Sequence, residues 1–403
     1  MKFYQETLSN GLTVIGEQRE SAVSTALGFF VKTGSRDETD DVSGVSHFLE
    51  HMMFKGTERR SALDITYELG EIGAQANAYT SEERTVYYMG VLPEYLESAF
   101  DLLSDMLRPS LSQEEFDVEK KVILEEIALY QDRPSFLIFE SALRHFFDKH
   151  PAGNSVLGTI ESITALKRDQ MLSYFEQRYS PSNIVLAVSG NFDWPQIMSL
   201  AQKHCSHWVS HDASRVLNPH KASEKIIELK KAGISRSHLC LVAPGPAADD
   251  EARYSADVLA CILGDSSGSK AYWSLVDKGI ADSVSIGADA MDGAGMLYAY
   301  AGFDPTKFDT VVSTLRELIS DPLSFDDSDL DRAKTKIRTR LVLQAESSMR
   351  RLMVVGSDWL SRAEYSPVEN EQLHYKSIDR DSITAFSERF PMTPLTQVSL
   401  LPE

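Results

Sequence analysis

Residues Leu111 to Lys120 (LSQEEFDVEK) return as Leu323 to Arg332 (LSFDDSDLDR). Eight of the ten positions are identical or chemically alike, and the offset, 323 − 111 = 212, is close to half of the 403-residue chain. A repeat at half the chain length calls for one domain built twice. The length agrees, because 403 residues exceed what one hydrophobic core usually organises and suit two domains of about 200 residues each. Polar, aperiodic residues from Ser210 to Lys225 read as a connection. The expected organisation is an N-terminal α+β domain over 1–208, a linker over 209–225 and a homologous α+β domain over 226–403.

The local pattern is that of sheet and helix together. Asn10-Gly11 between alternating residues predicts a hairpin from Thr7 to Val14, and Ala26–Thr33 reads as a buried strand. Gly73–Gly90, rich in Tyr, Thr and Val, predicts one or two more strands, and Asn183–Val188 another. Helices are expected over Ser61–Ile72, Pro93–Leu107, Ser112–Tyr130, Phe139–Phe147, Asp169–Tyr179 and Trp194–His204. Ser112 with Glu115 forms a capping-box pattern. Each half is expected to be a mostly antiparallel sheet with helices packed against it.

One short stretch carries chemistry. In His47-Phe48-Leu49-Glu50-His51, two imidazoles four residues apart stand one above the other on a helix and can reach a single ion. Glu50 lies near the same face, giving H-x-x-E-H. Neutral imidazole suits zinc, whose bound water loses its proton near neutral pH, and a non-ligating carboxylate can act as general base. Manganese or cobalt would accept the same ligands. The plain alternative is a helix whose two histidines hydrogen-bond inside a core. Ser43 is the expected N-cap of this helix.

The second half has no H-x-x-E-H, so only the first copy can hold the metal. A third ligand is sought on the Ser112–Tyr130 helix, where Glu119, Glu125 and Glu126 are the acidic candidates beyond the first turn. Glu119 and Glu126 are two turns apart and share a face, whereas Glu125 is rotated about 100° from Glu126. A carboxylate pair on one stripe fits a ligand and a partner that orients a ligating histidine. At the 212-residue offset, Arg338 falls opposite Glu126.

Composition excludes several classes. With 40 basic and 60 acidic residues the net charge is −20, which opposes nucleic-acid binding. Solubility explains that charge first, and attraction of basic peptides second. No apolar run approaches a membrane span, and Met1–Leu8 reads directly into a strand without a signal-peptide core. Cys205, Cys240 and Cys261 are an odd, widely spaced set, so a disulfide framework is not expected and a cytoplasmic setting is.

His47–His51, followed 75 residues later by Glu126 in Val122-Ile123-Leu124-Glu125-Glu126-Ile127, resembles the insulinase or pitrilysin metallopeptidase family. The likeness is to the short bacterial branch related to mitochondrial processing peptidase, and it covers nearly the whole chain. Gly44–Thr57, Asn77–Thr80, Glu83–Thr85, Leu157–Thr159 and Tyr179–Asn183 also resemble family blocks. The resemblance implies one zinc per chain on His47, His51 and Glu126, with Glu50 as general base and Glu119 as a supporting acid. Asn77 and Ala78 fall on the strand to which a peptide substrate would add, a mode that tolerates many side chains. A turn residue tolerating positive φ is the plain alternative for Asn77. The two halves would face each other, or a partner's halves, around a chamber that admits peptides or short unfolded proteins.

One departure stands out. Where active members carry an Arg and, seven residues later, a Tyr that reach the substrate, this chain has Leu275 and Asp282. A leucine cannot hydrogen-bond a carbonyl, and an aspartate would repel a developing oxyanion. The expected protein is therefore the zinc-bearing subunit of a metalloendopeptidase, completed by a homologous Arg–Tyr-bearing subunit as a heterodimer, or by a second copy. The competing expectation is a non-catalytic core-type subunit of a larger complex.

Overall fold

Thr7 pairs with Thr13 to close the first hairpin, and Gly11 in its turn takes a φ of 91°, a conformation glycine reaches without steric cost. The computed structural model describes residues 1–403. They form two units, each described in turn. The first comprises Met1–Ala128, Asn154–Val216 and Gln344–Ser366, and the second comprises Leu129–Gly153, Leu217–Leu343 and Pro367–Glu403.

The first unit runs β1 (Lys2–Thr7), β2 (Thr13–Gln18), β3 (Thr25–Val31), α1 (Val45–Met52), α2 (Ala62–Glu71), β4 (Gln75–Thr80), β5 (Thr85–Val91), α3 (Leu96–Met106) and α4 (Gln113–Gln131). The last turn of α4 passes into the second unit, which holds α5 (Pro134–Phe147). The first unit resumes with α6 (Ile160–Ala165), α7 (Arg168–Arg178), β6 (Ile184–Gly190) and α8 (Trp194–Cys205). Its sheet has the order β1-β2-β6-β3-β5-β4. Only β2 and β6 pair in parallel; the other neighbours are antiparallel.

The second unit contains β7 (Lys225–Lys231), β8 (Ser237–Pro244), α9 (Ala252–Gly264), β9 (Ala281–Met291), β10 (Ala294–Phe303), α10 (Phe308–Ser320) and α11 (Asp327–Ala345). After α12 (Ser348–Arg362), which belongs to the first unit, it closes with α13 (Val368–Ser377), α14 (Arg380–Arg389) and β11 (Thr396–Pro402). Its sheet order is β7-β11-β8-β10-β9, again with one parallel pair, β7 with β11. Strand for strand this is β2-β6-β3-β5-β4, so the two units share one topology and β1 is the addition. The α+β fold expected from the repeat is the fold observed.

The shared topology also corrects the repeat's offset. Ser112 Oγ accepts from Glu115 N at the start of α4, and Asp326 Oδ1 accepts from Asp329 N at the start of α11. Lys120 Nζ donates to Leu166 O before α7, and Lys334 Nζ donates to Ile378 O before α14. Along these helices the offset is therefore 214. Arg340, not Arg338, stands in the place of Glu126, and it pairs with Asp265 at 3.1 Å. Helix α10 (Phe308–Ser320) is two residues longer than its counterpart α3 (Leu96–Met106), which the ten-residue match could not register.

Each half of the chain gives one helix to the other unit's sheet. Leu352 and Val355 of α12 pack on Ile15, Ala26, Phe30, Val86, Val185 and Ala187. Burying each such side chain contributes roughly 1.5–3 kcal/mol. Arg351 of α12 is anchored bidentately to Glu17 at 2.8 and 2.5 Å within the same buried layer. In the second unit, Ile138, Ala142, Phe146 and Phe147 of α5 pack on Cys240, Val242, Met296, Val398 and Leu400. Residues 209–225 contain no regular element before β7 begins. No helix is long and apolar enough to cross a membrane.

Candidate metal centre

α1 exists in this place because its inner face is apolar: Val45, Phe48, Leu49 and Met52 are buried, and Phe48 stacks on Phe116 of α4 at 4.7 Å between centroids. The expected Ser43 cap is not used. Helix α1 starts at Val45, its N-cap is Gly44 at a φ of 89°, and no side chain of the cap residue bonds the first turn. The Glu38 carboxylate does that work from the preceding loop, accepting from Gly44 N at 2.6 Å and Ser46 N at 2.7 Å. A Cβ on Gly44 would lie 2.7 Å from Leu157 O and 3.0 Å from Gly158 Cα, so glycine is required where these segments meet.

On this helix and α4 the structure brings His47, His51 and Glu126 together, their ligand-type atoms all within 4.8 Å of one another. Glu126 Oε2 lies 3.8 Å from His47 Nε2 and 3.4 Å from His51 Nε2. These distances are long for hydrogen bonds. They are close to the roughly 3.3 Å edge of a tetrahedron whose centre is about 2 Å from each donor, the geometry of a zinc site. Burial pushes the His47 ring down to about 3, with His51 adding to the effect, so His47 is neutral and its lone pair available. Its Nδ1 is buried without a hydrogen-bond partner. The donor set, two imidazoles and one carboxylate at this spacing, fits zinc.

Glu119 lies beside this group, its Oε1 2.9 Å from His51 Nδ1 and its Oε2 2.6 Å from Lys55 Nζ. Burial raises the Glu119 carboxyl, but bonds to His51 and Lys55 outweigh it and the net shift is downward. Burial likewise lowers the His51 ring, while the Glu119 bond and the charges of Glu126, Glu119 and Glu50 carry it upward. With Nδ1 facing a carboxylate, His51 presents Nε2 toward Glu126. Glu50 is raised by burial, against the Thr80 hydrogen bond and His51, with Glu126 adding to the rise.

Asn77 and Ala78 lie on β4, the edge strand of the six-stranded sheet, paired with Tyr88 and Tyr87. Asn77 is extended rather than a turn residue, and its Oδ1 accepts from Ala78 N at 2.9 Å. In the second unit Leu275 is buried within the apolar core, and exposed Asp282 pairs with Arg236 at 3.0 Å. Three contributors escaped the sequence reading: Glu38, Lys55 and Thr80, whose hydroxyl donates to Glu50 Oε2 at 2.6 Å. Lys55 lies three residues past the end of α1, in the turn that follows it, so helical spacing from His51 does not place it.

Residues 13–160 match the sequence model of the family described as Insulinase (Peptidase family M16), and residues 165–337 match the Peptidase M16 inactive domain. The chain is 32% identical over 360 residues to the uncharacterized zinc protease YmxG of Bacillus subtilis, covering 88% of this chain and 87% of that one. It is 31% identical over 380 residues to an uncharacterized zinc protease of Rickettsia felis, covering 93% and 92%. A protease from Helicobacter pylori superposes with a TM-score of 0.91 at 22% identity, covering 100% and 99% of the two chains. The peptidase M16 inactive domain from Pseudomonas fluorescens gives 0.91 at 16% identity, covering 100% and 98%. The chain belongs to the insulinase family, peptidase family M16.

Proposed function

We propose that this chain is a zinc metalloendopeptidase subunit that binds one zinc ion through His47, His51 and Glu126 and hydrolyses peptides or short unfolded proteins. The convergence of these three side chains, with Glu50 close by but held by Thr80 rather than joined to the group, carries the reading. Relatives named zinc proteases support it. Zinc, when bound, polarises a carbonyl and acidifies water. Glu50 takes the water proton as general base and delivers it to the leaving amine. Its upward shift, caused mainly by burial, strengthens its hold on a proton taken from water. Glu119 orients His51, and Lys55 keeps Glu119 ionised. The open edge of β4 at Asn77 and Ala78 would receive the substrate as an added strand.

The Arg–Tyr contribution comes, in this reading, from a homologous subunit or a second copy, because Leu275 is buried in a core and Asp282 is tied to Arg236. The same two residues are what the non-catalytic, core-type reading rests on. Hydrolysis of a quenched, unstructured peptide by the zinc-loaded chain separates these readings, assayed alone and with a homologue that carries the Arg–Tyr pair. Chelator-sensitive turnover that vanishes in Glu50→Gln supports the peptidase, and turnover by the chain alone removes the need for a partner. Stoichiometric zinc with no turnover in either assembly would sink the enzymatic reading.

A further inference from the structure

Thr80 ends β4, and its Oγ1 donates to Glu50 Oε2 at 2.6 Å. A carboxylate only accepts, so the hydroxyl proton is committed to this bond while Glu50 is ionised. Glu50 Oε1 makes no hydrogen bond within the chain, so the two oxygens are in different situations: one is held and one is available.

Thr80 itself is rigidly placed. It pairs with Thr85 across β4 and β5, and the β4–β5 turn is closed by Ser81 N to Arg84 O at 2.8 Å. That turn is pinned to the segment after β3 by Arg36 N to Glu82 O at 2.8 Å and Ser35 N to Ser81 O at 3.3 Å. A Cβ on Gly34 would lie 2.1 Å from Ser81 O, so the two segments touch backbone to backbone. A β-branched side chain on such a frame has few rotamers to choose from. Glu50, by contrast, has three side-chain torsions to be fixed and sits on a different element, α1.

We infer that Thr80 is the positioning residue for the general base: its hydroxyl fixes Oε2 of Glu50 so that Oε1 faces the reacting water. The inference rests on the peptidase reading. It also gives β4 a second part in the reaction, because the strand whose edge would receive the peptide is the strand that aims the base.

The test compares Thr80→Val, which keeps the branched shape without the hydroxyl, with Thr80→Ser, which keeps the hydroxyl. Both are made in wild-type and Glu50→Gln backgrounds, in an assembly that cleaves the peptide. Thr80→Val is expected to lower kcat by about 10- to 100-fold with KM within about twofold, because a misaimed base forfeits much of its contribution. Thr80→Ser restores most of the rate. In the Glu50→Gln background Thr80→Val has little further effect, as two residues acting through one step are non-additive. Zinc stoichiometry and the affinity for uncleaved peptide stay at wild-type values in Thr80→Val. Full activity of Thr80→Val, or an equal additional loss in the Glu50→Gln background, overturns the inference while leaving the peptidase reading intact. Zinc-loaded wild-type chain that cleaves nothing, alone or with a homologue, overturns both.

Discussion

Glu119 holds His51 by a 2.9 Å contact to ring Nδ1, while Nε2 of the same ring lies 3.4 Å from Glu126. The two carboxylates therefore address opposite nitrogens of one imidazole, and α4 supplies both from a single stripe. This arrangement fixes the orientation of the ring, with Nδ1 held by Glu119 and Nε2 turned toward Glu126.

Removing the orienting carboxylate is expected to weaken metal binding without abolishing it. Glu119→Gln should lower zinc affinity by about 10- to 100-fold, measured by competition with a chelator. An unchanged affinity would show that His51 needs no such partner.

Ligand and base should separate cleanly on substitution. Glu126→Gln is expected to lose bound zinc. Glu50→Gln should keep one zinc per chain and lose about 10²- to 10⁴-fold in turnover. Metal analysis alongside peptide hydrolysis checks both, and zinc loss from Glu50→Gln would make it a ligand instead.

Glu38 provides a pH signature. Burial raises its carboxyl to about 7, against the bonds from Ser46 N and Gly44 N, which lower it. A carboxyl with a raised native pKa binds its proton more tightly folded than unfolded, so its contribution to stability declines as pH rises. The decline starts near the unfolded value of 4.5 and levels off above about 7. Urea unfolding of the metal-free chain should therefore lose more stability between these limits in wild type than in Glu38→Gln. Parallel pH profiles would remove Glu38 as the cause.

The exchanged helix α12 should be intolerant of bulk where it crosses the sheet. A Cβ on Gly356 would lie 2.3 Å from the Phe30 ring. Gly356→Val is expected to cost about 1–3 kcal/mol or more, seen as a lower midpoint in urea. A neutral effect would mean that α12 does not rest on β3 in solution.

Parts of this architecture were legible because they are local. The juxtaposition of His47 and His51 is set by helical periodicity alone, and the hairpin at Asn10-Gly11 by turn chemistry. Glu126 lies 75 residues from His51, so spacing narrowed the choice only to the acids of one helix. Local reasoning failed where contacts between distant segments decide. Ser43 reads as a cap, yet the close meeting of Gly44 and Gly158 forces the chain past it and Glu38 takes over. The ten-residue repeat placed Arg338 opposite Glu126, because the two extra residues of α10 are invisible to similarity in the segment that follows it. Thr80 falls in the Asn77–Thr80 block, but no role could be assigned to it there, since only the folded sheet sets it against Glu50.

The seating of α12 on the first sheet has a consequence for synthesis. The strands of that sheet are complete once residue 190 has been translated, but the helix covering one of its faces ends at Arg362. For the intervening stretch of elongation, Ile15, Phe30, Val86 and Val185 lack the side chains that later bury them. A nascent chain of this kind carries an uncovered apolar surface while 172 of its 403 residues (191–362) are added, a state that invites aggregation and engages chaperones. His47, His51 and Glu126, the proposed metal ligands, emerge early and become part of a finished unit late.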